Sequence, residues 1–252
     1  MDKNTAVPAG KEHKEHSSSS VGSLQGEVWL TVQSYQAQSL LRGRRASEAK
    51  PAIVGLVGFA DRLKTLWQAV RQDDPYADWW LIKIEEGIAL CRAQLGQLSE
   101  QVNALLASHD CFDITVAQSR QPQRISLQFA NPYAFRAAQL LAEYDRIICT
   151  FMTLRHLGVE IPQALDEQFK GSGRWLRRVF ALPQNYCFCD VDRCAILQNT
   201  QRAQKAQERM GDVPRDILRG DALPSLRPIA FRRPDLNDLS DSPGTAADEA
   251  VL

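Results

Sequence analysis

Hydrogen-bonding and cationic side chains, rather than a nucleophile with its base, carry the spacing that suggests chemistry in this chain, and that chemistry is recognition. In RISLQF, Arg124, Ser126 and Gln128 alternate with Ile125, Leu127 and Phe129, the two-residue period of a strand with one polar and one apolar face. In VWLTVQ, Val28, Leu30 and Val32 form one face and Trp29, Thr31 and Gln33 the other. A two-stranded ribbon fits the major groove of DNA, where Arg pairs with guanine, Gln with adenine, and Ser or Thr adapts to several base edges. Thr31, Gln33, Arg124, Ser126 and Gln128 are therefore the candidate base readers. A ribbon facing water would show the same polar face, and alternation alone does not separate the two readings.

Two cationic clusters accompany these stretches. Arg42, Arg44, Arg45 and Lys50 fall in RGRRASEAKP with only Glu48 against them; Lys170, Arg174, Arg177 and Arg178 fall in KGSGRWLRR. Long cations neutralise a polyanion without a shaped pocket, which makes Arg42, Arg44, Arg45, Lys170, Arg174, Arg177 and Arg178 candidate phosphate contacts. The first cluster also reads as a solvated loop. The second, on a basic amphipathic helix, also suits a membrane surface or an acidic protein.

Catalytic patterns are missing. There is no nucleophile elbow, HExxH motif or dinucleotide-binding glycine fingerprint, and GSG lacks the Lys-Ser/Thr of a phosphate-binding loop. Adjacent Glu85 and Glu86 point in different directions on a helix and make no opposed acid pair. In CFCDVDRC, Cys187 and Cys189 are too close for the common zinc-knuckle gap and Cys194 leaves the set one ligand short, although Asp190, Asp192 or Cys149 could be recruited in space. The reading is a non-enzyme with no cofactor, no metal ion and reduced thiols.

The elements that must position these groups are mainly helices. Ser34 is placed to cap a helix carrying Ala37, Leu40 and Leu41 that Gly43 ends; Asn131 and Pro132 open a long helix that stops before Gly158 and Pro162. VWLTVQSYQAQSLL thus parallels ISLQFANPYAFRAAQLL, strand then helix, and the two strands are expected to pair antiparallel with their helices behind. Between them a helix from Pro51 to about Val70 and another from about Tyr76 to Leu106, joined at Asp73-Asp74-Pro75, form a helical hairpin; Gly87 and Gly96 are expected to bend or weaken its second arm. Trp79 and Trp80 read as core or subunit-contact side chains. Beyond the central helix the sequence predicts a short helix over 162–169, a break at GSG, a second short helix to about Leu182, and a polar helix over 191–210. The expected organisation is a disordered tail at 1–23, one helical domain at 24–210 with ribbon-helix units at 27–43 and 124–158, and an extended or disordered tail at 211–252.

The chain has 30 Lys and Arg against 30 Asp and Glu. That neutrality conceals asymmetry: residues 124–209 hold twelve bases and eight acids, while 234–252 hold five acids and no base. A secretory pattern is not evident in the polar first twenty residues and no apolar run approaches a membrane span, so a cytoplasmic protein without membrane contact is expected.

GSLQGEVWLTVQSYQAQSLLRGRR and NPYAFRAAQLLAEYDR resemble a family encoded by integrating conjugative elements that is similar to the AcaB-like transcriptional regulators, over roughly residues 22–210. The resemblance implies a ribbon-helix-helix-like core elaborated by the hairpin, and sequence-specific binding of double-stranded DNA that controls transfer genes. The ribbon face at Arg124, Ser126 and Gln128 is the position it marks. It admits a homodimer and contacts with conjugation or transcription proteins as further partners, and leaves open whether the ribbon forms within one chain or between two. The alternative function is a non-catalytic structural or adaptor component of the conjugation machinery.

Overall fold

The computed structural model describes residues 28–47, 51–109, 111–127 and 131–228. The expected tail at 1–23, the reader Gln128 and the acidic end from 234 lie outside the described residues. Strand β1 (Val28–Val32) pairs antiparallel with β4 (Gln123–Leu127), with Val28 opposite Leu127, Leu30 opposite Ile125 and Thr31 opposite Arg124. Cross-strand partners share a face. Buried Leu30 and Val32 therefore carry Ile125 and Leu127 to the core side, while Trp29, Thr31, Arg124 and Ser126 occupy the outer side. The ribbon forms within one chain.

Each ribbon strand runs into a helix. Helix α1 (Tyr35–Arg42) is capped by the Ser34 hydroxyl, which accepts from the Ala37 N–H at 3.2 Å, and it ends at Gly43. Helix α4 (Pro132–His156) is capped by Asn131, whose side chain accepts from the Tyr133 N–H at 2.8 Å, with Pro132 at its first position. A second ribbon, absent from the sequence reading, pairs β2 (Gly43–Arg44) with β3 (Ile53–Val54). It brings Gly43 and Gly55 so close that a Cβ on Gly55 would lie 2.3 Å from the Gly43 nitrogen. At Gly43 the backbone also takes φ of 71°, a region that glycine tolerates best.

The hairpin forms as α2 (Leu56–Arg71) and α3 (Pro75–Ala107). The first arm begins at Leu56 rather than Pro51, because Ile53 and Val54 are used by β3. Asp74 caps α3 by accepting from the Tyr76 and Ala77 N–H groups. α3 passes through both glycines as one helix of 33 residues, about 50 Å long. It packs against α4, which is buried at Tyr133, Leu140, Leu141, Ile148 and Phe151, and α1 and α2 close the same core.

Three expectations change. The GSG break does not occur: α5 (Gln163–Ala181) is continuous. Its apolar stripe at Leu165, Leu176, Val179 and Phe180 is buried, the Ser172 hydroxyl bonds the Phe169 carbonyl, and Gly173 sits where a Cβ would be 3.0 Å from the Tyr144 hydroxyl oxygen. Burial of the stripe outweighs a helix penalty of about 1 kcal/mol per glycine, and Gly173 provides space rather than a break. The polar helix at 191–210 is two, α6 (Arg193–Leu197) and α7 (Gln201–Met210), separated where Asn199 takes φ of 52° and Thr200 caps α7. Finally, the body does not end at Met210. After it come α8 (Arg215–Arg219), with Ile217 buried, and a strap in which Leu226 bonds the Tyr133 hydroxyl and Arg227 bonds buried Asp78.

Candidate nucleic-acid interface

The junction between β1 and α1 fixes the outer ribbon face. Buried Asp145 of α4 accepts the Gln33 N–H at 2.6 Å, the Ser34 N–H at 2.9 Å and the Ser34 hydroxyl at 2.5 Å. A carboxylate at a helix N-terminus satisfies amide donors that the helix leaves unpaired and complements its dipole. One α4 residue thereby sets the direction in which β1 leaves α1. The inner ribbon side chains pack on the core behind it.

On the outer face Thr31 and Arg124 are exposed, Ser126 is half-buried, and Trp29 is 45% exposed. The Arg124 guanidinium lies over the Trp29 ring at 4.6 Å from its centre. Stacking of this kind holds an arginine in an extended pose while leaving its in-plane N–H donors directed outward. Gln33 falls one residue past β1, and its side-chain oxygen accepts the Ser119 N–H at 3.1 Å. Thr31 and Gln33 also border a cleft of about 570 Å³ shared with Asn103, Asp145 and Arg146.

The cations divide by what already holds them. Arg42 and Arg45 are exposed, and Arg44 donates to the Pro51 carbonyl at 3.0 Å from an exposed side chain. On α5, Lys170 pairs with Asp166 at 2.5 Å, and Arg155 pairs with the same carboxylate. The Lys170 hydrogen bond, with the Arg155 charge, holds the Asp166 carboxyl below its usual range. Arg174, Arg177 and Arg178 are exposed and make no ion pair with a described carboxylate. α5 packs against both α1 and β3, so the two cationic clusters, far apart in sequence, belong to adjoining elements.

The three clustered cysteines serve different contacts. Cys187 accepts from Arg209 at 3.4 Å and its N–H meets the Met210 sulfur; Cys194 accepts from Gln198 at 3.2 Å. Burial, and then the neighbouring Cys187, pushes the Cys189 thiol up. No group of three His, Cys, Asp or Glu among the described residues is placed to hold a metal ion. Nor is any described helix long and apolar enough to cross a membrane.

Two side chains that matter here escaped the sequence reading. Trp29 was legible as an outer-face residue but not as the stacking platform of Arg124. Asp145 gave no signal, because its partners lie more than a hundred positions away.

Comparison with known proteins places these features in context. The family model described as Transcriptional regulator AcaB matches residues 20–230. Among solved structures, selenomethionine-containing AcaB from uropathogenic E. coli aligns at 15% identity and a TM-score of 0.49, covering 78% of this chain and 95% of that one. No match is found among curated proteins.

Proposed function

The chain belongs to the AcaB family of transcriptional regulators, and from that premise we propose that it binds double-stranded DNA sequence-dependently, with the outer face of the β1–β4 ribbon in the major groove. The observation that carries the reading is the shared outer face of Thr31, Arg124 and Ser126, with Arg124 laid over Trp29. A stacked guanidinium that keeps its donors free suits the acceptor pair of guanine, and Thr31 and Ser126 suit adaptable contacts. Gln128 and Gln33 complete the proposed reader set, Gln33 through its side-chain N–H groups. Arg42, Arg44, Arg45, Arg174, Arg177 and Arg178 hold phosphates, with Lys170 a weaker contributor because Asp166 partly neutralises it.

The order of elements supports a ribbon-helix-helix unit folded from one chain. β1 leads into α1 and then α2, β4 leads into α4 and then α5, and the four helices pack on one another with α4 against β1 of the paired strands. In this reading α3 joins the two halves and braces them. Regulation follows from promoter occupancy in the cytoplasm, with no covalent chemistry, and the regulated genes are transfer genes of a conjugative element. A second copy on an inverted site, and proteins of the conjugation or transcription apparatus, are its further partners.

The test is a salt titration of the purified chain against fragments of its own genetic element, with unrelated DNA as competitor. Recovery of a preferred fragment, bound less tightly as salt rises, supports the proposal. Arg124→Ala should then cost about 1–3 kcal/mol on that fragment and little on the competitor. Arg44→Ala and Arg45→Ala should weaken both alike, each lowering the salt slope by about 0.9. No preferred fragment, with the chain folded, transfers the function to protein binding within the conjugation machinery.

A further inference from the structure

An apolar groove of about 360 Å³ runs between α3 and α5. Gly87, Leu90, Val179 and Leu182 form its floor and Trp175 one wall. The two helices approach closely here because Gly87 has no side chain: a Cβ would lie 2.8 Å from Leu182 Cδ1. Leu90 is 62% exposed in it. Lys83, Arg178 and Glu86 stand on the rim, two cations to one carboxylate, and neither cation makes an ion pair with a described carboxylate. Lys83 is held in place, its ammonium 3.4 Å from the centre of the Trp79 ring and 4.0 Å from that of Trp80. An apolar floor whose rim carries a net positive charge, with Lys83 fixed on it, calls for a segment that combines apolar side chains with carboxylates.

The chain carries such a segment. Residues 235–241 read DLNDLSD, with Leu236 and Leu239 set among Asp235, Asp238 and Asp241. We infer that this segment docks in the α3–α5 groove, its leucines on the floor and its carboxylates at Lys83 and Arg178. The tether is favourable: Ser225 bonds Glu85 and Arg227 bonds Asp78, so the last described residues are held against α3 itself. Positions 228 to 235 span at most about 24 Å when extended, and a helix with its side chains is about 10–12 Å across. A tethered segment also meets the groove at an effective concentration of roughly millimolar, an advantage no partner in free solution has. The inference does not depend on DNA binding.

Carbodiimide treatment of the full chain at low salt, with peptide mapping of the products, tests it by joining an ammonium to a carboxylate only where the two touch. The expected product is an intramolecular link from Lys83 to Asp235, Asp238 or Asp241, formed several-fold more than links from the tail to Lys64 or Lys170. Exposure alone favours those lysines, whose side chains are 64% and 65% open. Leu236→Ser with Leu239→Ser, which leaves every charge in place, should remove the Lys83 link. Tail links distributed according to lysine exposure, links found only between two chains, or a Lys83 link that persists in the double variant would each overturn the inference.

Discussion

Replacing Asp74 by Asn should change the pH dependence of stability more than stability itself. Asp74 is 2% exposed, and its carboxylate accepts from the Tyr76 N–H at 2.8 Å, the Ala77 N–H at 3.3 Å and the Tyr186 hydroxyl at 2.6 Å. Burial outweighs these three bonds and raises its pKa from 3.8 to about 6. Burial, followed by the Asp74 charge, pushes the Tyr186 phenol upward, so it remains a donor. Because the folded pKa lies above the unfolded one, the folded state binds the proton more tightly. The resulting stabilisation is complete below the unfolded pKa and disappears as pH rises through the folded one. At 1.36 kcal/mol per unit the full effect is about 3 kcal/mol, of which about 2 kcal/mol is lost between about pH 4.5 and about pH 8. Asn keeps the cap oxygen but does not titrate. Its amide must also face the Tyr186 hydroxyl, which adds an offset independent of pH. Urea unfolding of both proteins at these two pH values isolates the slope, because the other carboxylates cancel in the difference. Asp74→Asn should gain about 2 kcal/mol on the parent between the lower and the higher pH; a constant difference would refute the assignment of this titration to Asp74.

Asp145→Ala removes the shared acceptor of the Gln33 and Ser34 amides and should destabilise the chain by about 3 kcal/mol in urea unfolding, with faster hydrogen exchange at those two amides. Gly173→Ala places a methyl 3.0 Å from the Tyr144 hydroxyl oxygen and should cost about 1–3 kcal/mol, an amount that Tyr144→Phe in the same chain should partly restore. Arg227→Met removes two contacts from fully buried Asp78, the Nε contact at 3.0 Å and an NH2 hydrogen bond, and leaves Arg193 at 2.5 Å to hold it. The expected loss is about 2–4 kcal/mol, measured by thermal or urea unfolding. A chain ending at Met210 should lose more, since it lacks the buried Ile217 and the whole strap.

The strap's ion pairs explain why the end of the body could not be read from the sequence. Asp78 lies 115 positions from Arg193 and 149 from Arg227, and each by itself is an ordinary surface residue type. Only their convergence makes them buried: Arg193 is 3% exposed and Asp78 is 0% exposed. The β2–β3 ribbon escaped for another reason. Strands of two residues are too short to show a period. The GSG reading failed because local propensity was weighed without the stripe that α5 buries.

Sequence alone determined whatever rests on neighbours along the chain. The alternation in β1 and β4, the caps at Ser34 and Asn131, and the apolar spacing of α3 and α4 are local patterns, so the mainly helical fold with a small antiparallel ribbon was legible. So were the outer-face positions of Thr31, Arg124 and Ser126, because side-chain direction in a strand follows from period two. Tertiary structure decided what depends on distant positions meeting: pairing of the ribbon within one chain, its fixing by Asp145, the stacking of Arg124 on Trp29, the two arginine clusters on adjoining elements, and the groove between α3 and α5. Burial and desolvation belong to the assembled molecule. They give Asp74 its raised pKa and Asp78 its need for two arginines, and neither demand exists until the helices have packed.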